Sequence, residues 1–93
     1  MAPDTIRRRL VVHGKVQGVF FRDSTREAAA NEGVAGWARN RGDGTVEVVL
    51  EGPPAAVQAV TEFCRLGPVS AHVDHVDVSD EAPEGLTGFE IRG

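Results

Sequence analysis

The sequence is poor in the features that would staple a small protein or draw it to a polyanion. Its 93 residues include one cysteine, Cys64. No intramolecular disulfide and no thiolate metal cage can therefore form, and a reducing, cytoplasmic setting is the expectation. Basic residues are in deficit, with 10 Lys plus Arg against 14 Asp plus Glu and a formal charge of -4. That balance argues against a broad nucleic-acid footprint, so any anion site must be local. No stretch is apolar over the roughly 20 residues a bilayer requires, which predicts a soluble chain with no membrane partner. The Arg7-Arg8-Arg9 run is no export signal: such a signal needs roughly 7 to 15 apolar residues after it, and here His13-Gly14-Lys15 interrupts after Leu10-Val11-Val12. The run reads as the solvated start of a strand. Internal repeats and low-complexity segments are absent.

What is present is ordinary globular composition, 41% hydrophobic and 26% charged, enough for one small domain over 1–93, with 1–6 as a flexible N-terminal tail. Branched residues over 7–13 (RRRLVVH) predict a strand that stops at Gly14. Residues 22–32 (RDSTREAAANE) are helix formers, with Asp23 in the first turn and Gly33 as the stop. Residues 33–40 (GVAGWARN) and 45–52 (TVEVVLEG) flank RGDG and predict a hairpin whose second strand turns Val46, Val48 and Leu50 to one side. Pro53-Pro54 opens a helix with Val57, Val60 and Cys64 or Phe63 at helical spacing, ended by Gly67-Pro68. Residues 71–78 (AHVDHVDV) give a weaker strand signal, 81–88 a loop, and 89–92 (FEIR) a short final strand. The order β-α-β-β-α-β plus a terminal strand is that of an α+β fold, a split βαβ pattern with two helices on one face of an antiparallel sheet.

Between the first strand and first helix lies GKVQGVFFR, residues 14–22. Gly14 and Gly18 allow the chain to curl and aim N–H groups inward, the helix N-terminus adds its positive dipole end, and Arg22 can fork onto two phosphate oxygens. Together these suggest a phosphoryl cradle. A plain βα turn with a surface arginine is the other reading, and neither a Walker loop nor GxGxxG is present to decide. Asn40 ends the second strand. In a right-handed βαβ crossover the first two strands run parallel, so Asn40 finishes beside the glycine loop, roughly 10 Å away if one strand lies between. A turn residue bonding its own backbone is the alternative for Asn40.

The two stretches 14–22 and 36–52 resemble the signatures of the acylphosphatase family, G-x-V-Q-G-V-x-F-R and G-W-A-R-N-x-x-x-G-x-V-x-x-x-x-x-G, at every specified position. The resemblance implies a ferredoxin-like fold and hydrolysis of small acyl phosphates to a carboxylate and phosphate, with no metal and no cofactor. It implies that Arg22 binds the phosphate, that Asn40 positions the attacking water, and that the amides of Gly18, Val19, Phe20 and Phe21 form the cradle. Glu32, before Gly33, stands where an aliphatic residue is expected, which bears on helix packing rather than chemistry.

So few groups suffice because the departing carboxylate is the base of an acid with pKa of about 4, and a loose phosphoryl transition state asks chiefly for positioning and charge stabilisation. Asn40 cannot take a proton, so the proton passes to a phosphate oxygen of the substrate. The histidines have dull readings: His13 ends a strand, and His72 and His75 lack a clean same-face spacing for a metal. Trp37, Phe63 and Phe89 read as core, and Phe20 or Phe21 packs beneath the loop. An RNA-binding domain of the same element order would stack bases on aromatics of its central strands, but RRLVVH and TVEVVLE contain none. A small-ligand regulatory module on this fold is a third class. A monomer is the default.

Overall fold

Branched residues at alternate positions make strands here, and alanine-rich stretches with one apolar stripe make helices. The computed structural model describes residues 4–93. The elements follow in the order β1 (Ile6–Lys15), α1 (Phe21–Glu32), β2 (Ala35–Asn40), β3 (Val46–Gly52), α2 (Pro54–Leu66), β4 (His72–Glu81) and β5 (Phe89–Arg92). They form a five-stranded sheet of order β4-β1-β3-β2-β5. β3 runs antiparallel to both β1 and β2, β4 antiparallel to β1, and only β5 pairs in parallel, with β2. The split βαβ reading therefore holds, with the terminal strand completing one edge.

The helices end where local chemistry stops them. Gly33 adopts the left-handed conformation (φ 71°) and returns its N–H to the carbonyls of Ala29 and Ala30, the C-terminal motif glycine permits at little cost. Pro54 sits in the first turn of α2, where the missing N–H costs nothing. Both helices cover one face of the sheet. Phe21, Ala29, Val57, Val60 and Cys64 pack there against Leu10, Val12, Val46, Val48 and Leu50, so the three β3 residues expected on one side do face the core. Phe63 and Phe89 are partly buried against that core. Burial pushes the Cys64 thiol up to about 12, which makes it an inert packing group. Glu32 is exposed and disturbs no packing.

The other face differs from expectation. Arg7, read as part of a solvated run, is 4% exposed. Its Nη1 donates to Glu51 at 2.9 Å and its Nε to Glu81 at 2.9 Å. Arg9 donates Nε to Glu81 at 2.6 Å and Nη1 to Glu47. A charge run can be buried when facing strands bring carboxylates to it, and the register does so by pairing Arg7 with Glu51 and with Glu81. Trp37 is buried as well, but under cations: the Arg92 guanidinium lies 4.6 Å and that of Arg9 5.7 Å from its ring centre, favourable cation–π distances. Burial alone would push the Glu51 carboxyl up. The N–H of Glu84, the Arg7 guanidinium and the N–H groups of Leu86 and Gly85 outweigh it and hold the carboxyl below its usual range, which pins the 82–88 loop to the sheet.

Of the N-terminal tail expected over 1–6, residues 1–3 lie outside the described residues. Ile6 already belongs to β1, where it pairs with Gly52. Among the described residues no helix is long and apolar enough to cross a membrane.

Candidate active site

The site is made by the chain between β1 and α1. The β1–β4 ladder changes register between His13 and Gly14, a bulge of the kind that re-aims a strand end. Gly14 has φ 130°, and a side chain there would strike the His72 carbonyl and crowd the Asp74 amide nitrogen at 2.8 Å, so the close approach of β4 requires glycine. Gly18 (φ 73°) and Phe20 (φ 62°) are both left-handed. For Phe20 that conformation costs about 1–2 kcal/mol, while burying the neighbouring Phe21, 1% exposed, contributes about 2–3 kcal/mol. Anchoring of Phe21 beneath the loop thus outweighs the strain, and Phe20 is left 74% exposed.

The curled loop leaves its donors free. Among the described residues no protein acceptor takes the N–H groups of Gln17, Gly18, Val19, Phe20 or Phe21, and α1 begins at Phe21 with its dipole end turned to the same place. Arg22 follows in the first turn. Its Nη1 donates to the carbonyl oxygen of Arg92 in β5 at 3.0 Å, an acceptor the terminal strand brings to the sheet edge.

β3 lies between β1 and β2, so the ends of the two parallel strands meet across one intervening strand, as the crossover argument requires. A recess of about 260 Å³ lies there, lined by Val16, Gly18, Phe20, Phe21, Arg22, Asp23, Asn40 and Ile91. It brings Arg22 and Asn40 together with Gly18, Phe20 and Phe21. Val19 is buried and is not among the lining residues; its carbonyl accepts from the Ser70 hydroxyl at 2.9 Å. Asn40 pairs with Val46 at the end of β2 and is not the residue that closes the turn. Asp43 does that, accepting from the Thr45 N–H at 3.0 Å and from the Thr45 hydroxyl. The Thr45 hydroxyl and N–H hold the Asp43 carboxyl below its usual range.

Gln17 was not singled out from the sequence. Its Nε2 donates to the carbonyls of Arg41 at 2.8 Å and Thr45 at 2.9 Å, tying the glycine loop to the turn that follows Asn40. Only the position of a polar residue between two loop glycines hinted at it, and its acceptors lie 24 and 28 residues away.

In chemical terms the recess offers unpaired backbone donors, a guanidinium and a carboxamide. These are the parts for holding a phosphoryl group and a neutral nucleophile beside it.

The acylphosphatase family model matches residues 8–91. An acylphosphatase of Gloeobacter violaceus is 58% identical over 86 residues, covering 92% of each chain. One of Haloarcula marismortui is 52% identical over 92% of this chain and 94% of its own. The crystal structure of the Bacillus subtilis acylphosphatase superposes with a TM-score of 0.91 at 36% identity, covering 95% of this chain and 99% of that one. On its motifs, its fold and these relatives, the chain belongs to the acylphosphatase family, hydrolases that cleave acyl phosphates.

Proposed function

We propose that the chain hydrolyses small acyl phosphates by in-line attack of water, with Arg22 and the loop amides holding the phosphoryl group and Asn40 orienting the water. The observation that carries this reading is the shared recess in which Arg22 and Asn40 flank the glycine loop. The amides of Gly18, Val19, Phe20 and Phe21 and the Arg22 fork stabilise charge on the equatorial oxygens, which is most of what a loose phosphoryl transition state needs. Asn40 accepts a hydrogen bond from the water and takes no proton. The leaving carboxylate needs no general acid, because its conjugate acid has a pKa of about 4.

No step in this scheme requires a metal or a cofactor, and residues 1–93 form a single catalytic domain that works as a cytoplasmic monomer without a nucleic-acid partner. The sheet face on which RNA-recognition domains stack bases is occupied by the Arg7, Arg9, Glu47, Glu51 and Glu81 ion pairs, which supports the enzyme over the binding module.

The test is phosphate release from benzoyl phosphate in the presence of a chelator, followed between pH 5 and 8. The expected result is full turnover with chelator and a rate profile free of any enzyme base, since the substrate's own phosphate oxygen receives the proton. Loss of turnover on chelation refutes metal independence. A bell-shaped profile that moves when His13, His72 or His75 is replaced refutes the proton path.

A further inference from the structure

We propose that His13, His75 and Asp77 form a surface site for a divalent transition-metal ion of the kind imidazole prefers, zinc being representative. The fold places together what the sequence keeps apart. His13 in β1 and His75 in β4 are directly paired across the antiparallel ladder, where opposed residues on one face hold their Cβ atoms about 4.5–5.5 Å apart. Their rings stack with centres 4.1 Å apart and planes 13° from parallel. Asp77, two residues beyond His75, projects to the same face. Its Oδ2 lies 2.9 Å from His13 Nε2 and its Oδ1 3.7 Å from His75 Nε2.

One ligand atom from each residue thus lies within 4.8 Å of the other two. Zinc bonds of about 2.0–2.2 Å put tetrahedral ligand atoms about 3.3 Å apart, so closing on an ion takes a shift on the order of 1 Å together with a turn of the His75 ring out of its stack, so that the two nitrogen lone pairs converge. His75 and Asp77 are exposed side chains whose tips can make that movement. Asp77 is also chemically free to do so. Glu47, Glu51 and Glu81 are held by arginines, whereas among the described residues the charge partners of Asp77 are the two histidines.

Two imidazoles and a carboxylate suit zinc, copper or nickel rather than calcium or magnesium, and water completes the coordination. The site shares no residue with the Arg22–Asn40 recess and stands apart from the hydrolytic mechanism. Pairing His72 with His75 along the chain hides it, because the third ligand comes from a strand 62 residues away by number, His13 to His75.

The experiment is calorimetric titration of the full chain with zinc chloride in phosphate-free buffer, with thermal unfolding measured for every variant. One zinc per chain is expected. His13→Ala and Asp77→Asn should each weaken binding by at least about tenfold, while His72→Ala, in the same strand but outside the triad, should leave it unchanged. As a second readout, one equivalent of zinc should shift the ring NMR signals of His13 and His75 and spare those of His72. Absence of binding to the parent, or binding by a folded His13→Ala as tight as the parent's, overturns the proposal.

Discussion

Arg22 spends one guanidinium nitrogen on the Arg92 carbonyl, 3.0 Å away, and among the described residues the rest of its fork has no protein partner. A planar fork held at one end presents its other donors in fixed geometry, which is how arginine recognises phosphate and why lysine does not replace it. Arg22→Gln should therefore weaken inorganic-phosphate binding by roughly 10- to 100-fold, the loss expected for hydrogen bonds from a charged group, and abolish most turnover with it. Arg22→Lys should recover little of either. Calorimetric titration with phosphate checks this, and parental affinity in Arg22→Gln would remove Arg22 from the cradle. That Arg22 and Asn40 share one recess was legible in the sequence because the crossover rule brings the glycine loop and the end of β2 to one edge, whereas their roles came only from the family resemblance. Phe20 and Phe21 were not separable, since which of two adjacent aromatics turns inward depends on the left-handed backbone at Phe20.

At the scale of elements, the glycine loop and the β2–β3 turn are independent pieces of chain joined by Gln17, whose amide donates to Arg41 and Thr45. Both carbonyls keep a backbone partner without it, Arg41 from Gly44 and Thr45 from Arg41. Gln17→Ala should thus cost only about 1–2 kcal/mol of stability, two hydrogen bonds at their usual net worth. The catalytic cost should be larger, because a misplacement of about 1 Å between nucleophile and phosphate can cost on the order of a hundredfold. Measured well below its unfolding temperature, the variant should lose turnover by at least about tenfold. Parental turnover there would mean the tie is structural only. The elements themselves were readable from local signals: Gly33 and Gly67-Pro68 as stops, Asp43-Gly44 as the hairpin, Pro54 as a helix start. Gln17 was hidden because its acceptors are main-chain carbonyls of a distant turn. The buried Arg7 was hidden because its carboxylate partners lie on other strands.

Across the whole molecule, the sheet face away from the helices carries ion pairs around the buried Trp37 and Val49, and this gives stability a definite pH dependence. The hydrogen bonds from Arg9 and Arg7 lower the Glu81 carboxyl from 4.5 to about 2. A carboxyl depressed in the folded state contributes its full stability above its unfolded pKa and loses it as pH falls toward the folded one. For Glu81 that window runs from about 4.5 down to about 2, and Glu51 is depressed in the same direction. The melting temperature should fall as pH drops through this window. Glu81→Gln should be less stable than the parent at pH 7 and show a shallower decline below pH 5. Equal slopes in the two proteins would contradict the assignment. The same whole-molecule arrangement, β3 between two parallel strands with the glycine loop at their common edge, underlies the central claim that one residue holds phosphate while another aims water. Asn40→Ala tests it most directly, with phosphate affinity and turnover on benzoyl phosphate measured on the same folded sample. The account predicts phosphate affinity close to the parent's and turnover lower by roughly a hundredfold or more, the loss of an oriented nucleophile. A folded Asn40→Ala that turns over near the parental rate, or that loses phosphate binding along with turnover, would contradict it.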